Sequence, residues 1–446
     1  MFDLSTIADI IAPRQTIAPQ SYAHEFARIS TDTRSLQRGD VFVALKGERY
    51  DANLFLREAE KQGAGLIIAS SLPDTAAFSV PVMLVDDTLV AYAKLAGFVR
   101  RKCQAFVLGI TGSYGKTTTK EMVAFLFSKH GKTHASAANE NNAVGVPKTL
   151  LGIDSDTKYA VIEMGTNVCG EIAFEAECAY PDCAIVTGIA EVHTETFKDK
   201  RGVLEEKLSL FTQAPFAVAV LNHDDALLRT AKVGRKQVFF GMDPSCAVSF
   251  HVVSKGHCHV TVKINKKYEL VLNTYASFYA SNAAAAIAAA MTAGIPIADA
   301  VHALEGFVFP KMRTELTEAN GIKFFNDAYN SNPFALACSL DEFREVESAR
   351  KIVVIGDMLE LGSLEKKKHA EVFEVAADYP AELVLLVGPR LAAAYTAGKA
   401  SPRVMCTETA AEASAVLKTF VRPGDAILLK GSRGIGLETI IDQLTA

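Results

Sequence analysis

Apolar residues along this chain gather in two ways: short blocks flanked by polar or glycine residues, which suit buried strands, and longer stretches where they recur every three or four positions, which suit helices. Up to about residue 100, blocks at 41–45, 65–69 and 80–85 alternate with helical patterns. A small α/β domain is expected over 1–103. Blocks at 106–110, 159–165 and 183–187 open a second unit, which continues through β-rich runs at 237–240 and 259–264 and an alanine-rich helix at 281–291. From about 315, blocks at 351–355, 383–387 and 426–430 alternate with helical patterns, predicting a third domain with a mostly parallel sheet. The expected fold is therefore α/β in three domains, over 1–103, 104–314 and 315–446.

The sharpest change of pattern follows the block at 106–110, where Thr111, Gly112, Ser113, Tyr114, Gly115, Lys116, Thr117 and Thr118 lead into a helix. The pattern is strand, phosphate loop, helix. Backbone N–H groups of residues 112–116 can line one concavity, the helix start adds positive potential, Lys116 a cation and Thr117 a magnesium-ligating hydroxyl. Ile110 stands where the general motif has glycine, and a tight turn without a ligand is the alternative. The implied ligand is a nucleoside triphosphate such as ATP.

Glu163 closes the next strand, where nucleotide enzymes hold Mg2+. His193 follows the third strand; taken alone it reads as structural. On the helix at about 200–213, Lys207 shares an apolar stripe with Val203 and Phe211. It either snorkels outward or sits desolvated near metal ions, able to react with carbon dioxide. In the first domain, Ser30, Thr31, Asp32, Thr33 and Arg34, with Lys46, Gly47 and the turn to Asp51, flank the first strand and read as ordinary loops or as a phosphorylated-ligand site.

Composition narrows the rest. The 446 residues, 49% hydrophobic and 22% charged, can fill several cores, and a formal net charge of −5 argues against nucleic acid as the main partner. The triplet Lys366 to Lys368 reads as a solvated helix face. No apolar stretch is long enough for a membrane helix and the N-terminus lacks a secretory pattern, so a cytoplasmic protein with reduced, mostly buried thiols is expected. His257 and His259 alone make a poor metal site.

Taken together, several stretches resemble the ATP-dependent Mur ligases of peptidoglycan precursor synthesis over nearly the whole chain. They are the phosphate loop at 111–117, residues 139–147, Glu163 to Asn167 with 170–172, the run from Asn326 to Pro333, the run from Gly356 to Gly362, and Lys430 to Gly434. The last three resemble the branch that adds a D-Ala-D-Ala dipeptide, and the Asp-Asn-Pro-Arg motif of the diamino-acid-adding branch is absent.

The resemblance implies that Lys116 and Thr117 hold ATP phosphates and one magnesium, Glu163 binds magnesium, and His193 binds a second. It also implies that Lys207 is carbamylated and ligates metal, reversing the snorkelling reading. Asn282 is then the adenine contact, Arg313 a phosphate contact and Asp327 the ribose contact. Tyr329, Asn330 and Asn332 lie near the incoming dipeptide, residues 30–34 and 46–51 form the uridine-nucleotide site, and Asn141 and Asn142 contact substrate. The chain departs from the family at Ala52 and Asn53, where Gly-His is usual, and at Met312, where glycine is common. The implied reaction activates the carboxylate of a UDP-N-acetylmuramoyl tripeptide as an acyl phosphate for attack by D-Ala-D-Ala, in an enzyme expected to be a monomer whose third domain swings onto the second. A folylpolyglutamate synthase would lack the Asn326 to Pro333 motif, and a non-catalytic ATP switch would not need Glu163, His193 and Lys207 together.

Overall fold

The computed structural model describes residues 2–445 apart from 23, 24, 27, 48, 49, 73–76, 139, 192, 193, 198, 235, 257, 258, 360, 399 and 400. The described chain divides into two compact units. One comprises 1–109, 131–166 and 171–182; the other comprises 110–130, 167–170 and 183–446.

In the first unit a five-stranded sheet runs Gln15–Ile17, Val82–Leu84, Leu66–Ala69, Val41–Val43, Ile29–Ser30. Its pairs are parallel except at Gln15–Ile17. Alternate residues of one strand enter different cores. Val41, Val43, Leu66, Ile68 and Met83 join Tyr92 and Leu95 on one face, while Phe42, Ile67, Ala69 and Val82 join Leu56 and Ala59 on the other. Burial on both faces explains why these strands read as continuous apolar blocks rather than alternating ones. The helix Thr88–Lys102, capped by Asp87, packs against Gly145–Leu151 and Glu171–Ala179. Its buried Arg100 donates to the carbonyls of Ala179 and Tyr180 and pairs with Asp182 at 2.9 Å. That packing is what gathers residues 131–166 and 171–182 with the N-terminal sheet.

The largest sheet has nine strands, in the order Tyr268–Leu272, His259–Ile264, Val248–Gly256, Lys236–Gly241, Val218–Asn222, Cys183–Val186, Phe106–Thr111, Tyr159–Glu163, Thr133–Ala135. From Phe106–Thr111 the chain travels to the Thr133–Ala135 edge, returns through Tyr159–Glu163, and then crosses to Cys183–Val186 on the other side. The strand order reverses at Phe106–Thr111. The alanine-rich helix Tyr279–Thr292 is buried nearly all round, and its small side chains let it lie close against Lys116–Ser128 and the neighbouring strands.

A six-stranded sheet completes the second unit: Glu315–Ala319, Ile322–Asn326, Asp425–Lys430, Arg350–Gly356, Leu383–Val387, Val404–Thr407, parallel except for its first pair. Phe325, Val353, Ile355, Leu386 and Leu428 face one core and Phe324, Ile352, Val354, Leu385 and Leu429 the other. The expected α/β class with mostly parallel sheets is what the chain forms. Of the lysine triplet, Lys366 and Lys367 are exposed, whereas Lys368 is tucked in and pairs with Glu371 at 2.9 Å and Glu191 at 3.2 Å. The thiols are free among the described residues, but only Cys178, Cys183 and Cys246 are buried, fewer than expected. No described helix is long and apolar enough to cross a membrane.

Candidate active site

The loop after Phe106–Thr111 turns at two glycines that only glycine suits. Gly112 has φ 146°, and a Cβ there would stand 2.0 Å from the Thr187 hydroxyl; Gly115 has φ 74° and starts the helix Lys116–Ser128. The Thr187 hydroxyl lies within reach of the Thr111 and Tyr114 carbonyls, while the Ser113 amide donates to Gly188 at 2.8 Å. The Lys116 ammonium folds back onto the Gly112 carbonyl at 2.8 Å. The loop is therefore held open from outside, with its lysine poised over its own concavity. Asn282 donates its amide to the Gly115 carbonyl and the Thr119 hydroxyl, both at 3.0 Å, so that side-chain nitrogen braces the helix start. The hydroxyl of Tyr279 lies near the Thr118 and Thr314 side chains, and its pKa is raised by burial first and by the Asp327 charge second.

Two proposed metal ligands are placed deep. In the first unit Glu163 is 1% exposed; its Oε1 accepts from the Asn141 amide at 2.9 Å and its backbone N–H donates to Ser136. Asn142 uses its side chain to accept from Val144 and Gly145, shaping the turn into Gly145–Leu151. In the second unit Lys207 is only 2% exposed on the helix Lys200–Gln213, so it does not snorkel outward. The reason is packing: Val203, Leu210 and Phe211 on the same stripe are buried too. Glu206 beside it accepts from the Gly170 amide at 2.9 Å. His193 lies outside the described residues, as do His257, Glu48, Arg49, Asn139 and Glu360 of the stretches named above.

In the six-stranded part of the second unit, Asp327 is 8% exposed and fully engaged. Its carboxylate meets Lys430 at 2.8 Å, the Ser339 hydroxyl at 2.5 Å and the Thr314 amide at 3.2 Å. Lys430 also donates to the carbonyls of Asp327 and Asn330. Asn332 caps the helix Pro333–Arg344 by accepting from Ala335, with Pro333 in its first turn. Arg313 stacks over Tyr329 with 4.2 Å between guanidinium and ring centre. Met312 adopts φ 63° and Thr314 φ 49°, left-handed conformations that glycine takes without strain, which accounts for the family's usual glycine at the former position.

At the N-terminal segments, Arg34 and Asp32 pair at 2.7 Å, and the arginine holds the Asp32 pKa down at about 2. Ser30 donates its hydroxyl to the Asp32 carbonyl, and Asp32 caps the turn Thr33–Ser35. Thr31 precedes that capping residue. Lys46 faces Asp51 at 3.7 Å, and Gly47 donates to the Tyr50 carbonyl. Asn53 is buried, donating to Asp51 and accepting from Ser70 and Ser71. It ties the turn to the sheet.

The residues suit a nucleotide with magnesium. The cradle at Gly112 excludes any side chain, the Thr111 Oγ1 is buried with no hydrogen-bond partner among the described residues, and the Thr117 hydroxyl and Glu163 carboxylate offer hard oxygens of the kind Mg2+ takes alongside phosphate. Among the described residues no group of three or more His, Cys, Asp or Glu converges.

Comparison with known proteins identifies the family. The Mur ligase middle domain matches residues 110–290 and the Mur ligase glutamate ligase domain matches 312–433. The UDP-N-acetylmuramoyl-tripeptide–D-alanyl-D-alanine ligase of Bacillus subtilis is 31% identical over 99% of this chain and 98% of its own. The chain belongs to the Mur ligase family. Among Mur ligases of known structure, MurF from Acinetobacter baumannii has a TM-score of 0.90 at 26% identity, covering 100% of this chain and 98% of that one. MurF of Thermotoga maritima, solved in complex with ADP, has a TM-score of 0.83 at 26% identity over 94% and 97%.

Several contacts of this Mur ligase were not legible in its sequence. Lys430 was noted only as a motif member, yet it neutralises Asp327. Its apolar strand gave a signal, a lysine at the end of a buried block. Two motifs, at 356–362 and 430–434, prove to be bonded to each other: the Ser432 amide donates to the Asp357 carbonyl and the Leu359 amide to the Ser432 hydroxyl. His369 supports the first of these, accepting from the Met358 amide at 3.1 Å while its other ring nitrogen faces the Glu365 carbonyl. The Tyr114 ring packs on Phe334 with centres 4.5 Å apart.

Proposed function

We propose that this chain is an ATP-dependent ligase that joins D-Ala-D-Ala to UDP-N-acetylmuramoyl tripeptide, yielding the pentapeptide precursor of peptidoglycan, ADP and phosphate. The observation that carries this reading is the end-to-end similarity to a relative bearing that ligase's name. In this reading 1–103 receives the uridine nucleotide through residues 30–34, 46 and 47, 104–314 binds ATP, and 315–446 binds the dipeptide through Tyr329, Asn330 and Asn332. The enzyme acts as a cytoplasmic monomer.

The loop N–H groups and Lys116 hold the ATP phosphates and offset the charge that grows on the transferring group. Asn282, Arg313 and Asp327 complete the nucleotide site. The tripeptide's terminal carboxylate oxygen bonds to the γ-phosphorus as ADP leaves, because a free carboxylate is a poor acceptor for an amine. The dipeptide amine then attacks the acyl carbon, phosphate departs with the C–O bonding pair, and the nitrogen loses a proton. Thr117, Glu163, His193 and a carbamylated Lys207 would hold magnesium, which supplies charge neutralisation when bound. Carbamylation joins the Lys207 nitrogen to carbon dioxide with loss of two protons from the ammonium, exchanging a cation for an anion inside the protein. Alignment of three substrates by three domains supplies the remaining advantage.

The test is phosphate release with each substrate omitted in turn, run with the meso-diaminopimelate and lysine tripeptide nucleotides and with the dipeptide nucleotide. Release that does not require both a tripeptide nucleotide and D-Ala-D-Ala contradicts the proposal.

A further inference from the structure

The second unit carries an aromatic contact that none of the roles above explains. Phe334 is 45% exposed, yet its ring lies against the ring of Tyr114 in the phosphate loop, with centres 4.5 Å apart and planes inclined at 30°. Both partners are held in place independently. Phe334 follows Asn332, which caps its helix, and Pro333, and the nearby Asn330 carbonyl is gripped by the buried Lys430. Tyr114 is fixed at its backbone, where its carbonyl faces the Thr187 hydroxyl, and at its tip, where a Cβ on Gly188 would stand 2.2 Å from the phenol oxygen. Burial pushes that phenol's pKa up to about 12, so the group stays neutral and offers the loop no charge.

We propose that Phe334 is a positioning residue for the phosphate loop: its ring forms the wall against which Tyr114 rests, so the loop's ATP-ready shape depends on the segment that follows the Asn326 to Pro333 motif. A ring is required because Tyr114 presents a flat face, and an offset aromatic contact there adds attraction that an aliphatic side chain of similar bulk does not. The consequence is one-sided wiring between two sites. Tyr329, Asn330 and Asn332, assigned above to the dipeptide, precede Phe334 by two to five residues, so whatever orders them also steadies the loop that holds the phosphates. The inference rests on reading that loop as the ATP site, and not on which ligase reaction follows.

The test uses the full chain with Phe334→Leu and Phe334→Tyr, measuring calorimetric binding of a non-hydrolysable ATP analogue, binding of UDP, and the thermal midpoint. Phe334→Leu should weaken the ATP analogue at least five-fold, which is about 1 kcal/mol at about 1.4 kcal/mol per tenfold, and leave UDP within about two-fold. Phe334→Tyr, which keeps the ring, should bind both like the parent. The inference is overturned if Phe334→Leu binds the analogue within two-fold of the parent, if it weakens both ligands alike, or if Phe334→Tyr loses as much as Phe334→Leu. Because the readout is nucleotide binding, a parent chain that binds the analogue but fails the phosphate-release test refutes the ligase reading alone.

Discussion

Replacing Asp327 by asparagine tests how the six-stranded part of the second unit tolerates its buried charge. Lys430 is 3% exposed and Asp327 8%, with 2.8 Å between Nζ and Oδ2. Removing one partner of such a pair costs about 3–5 kcal/mol, mostly because the other charge is left uncompensated. Here the ammonium keeps the carbonyls of Asp327 and Asn330, and an asparagine oxygen can still accept from Thr314 or Ser339. The low end therefore applies, about 3 kcal/mol. Lys430→Met should cost a similar amount, since it strands the carboxylate with two neutral donors. The double variant carries neither charge, so it should cost at least about 2 kcal/mol less than the sum of the single changes. Urea-dependent hydrogen exchange of Ile322–Asn326 and Asp425–Lys430 reads this sheet without the rest of the chain. Single costs that add to within about 0.5 kcal/mol in the double variant would show that the two charges do not depend on each other, and the reasoning would be refuted.

Lys116→Ala should abolish ligation while the thermal midpoint stays put, because its ammonium serves the loop concavity and not a core; a loss of about 3–4 kcal/mol in transition-state terms is expected from kcat/KM, and near-normal turnover would sink the phosphate-loop assignment. Lys207→Ala should be nearly inactive and partly rescued by short carboxylic acids that restore an anion, whereas activity unaffected by bicarbonate depletion, together with an unmodified lysine by mass spectrometry, would exclude the carbamate. Alkaline pH should destabilise the fold: burial raises the pKa of Tyr114 and Tyr379 to about 12 from 10.0. The unfolded chain then releases those protons first, and the stability present below about pH 10 is lost as pH rises. A phenolate absorbance titration should show these tyrosines ionising late, and uniform ionisation of all tyrosines near pH 10 would contradict their burial.

Sequence alone determined what depends on neighbours along the chain. The glycines at 112 and 115 needed only the local turn to mark a strand–loop–helix junction, the Lys200–Gln213 helix showed in its apolar stripe, and strands buried on both faces appeared as unbroken apolar blocks, because side-chain period and backbone freedom are local properties. Tertiary structure decided what depends on which elements meet. Lys207 could not be told from a snorkelling lysine until its helix was packed, since a stripe position says which face a residue shares and not how deep that face lies. The pairing of Asp327 with Lys430 joins strands that are neighbours only because the last strand inserts beside Ile322–Asn326. The interior position of Phe106–Thr111 follows from a strand order that no periodicity records. Nothing in the sequence marks Phe334, which follows the Asn326 to Pro333 run; only the folded chain sets its ring against Tyr114.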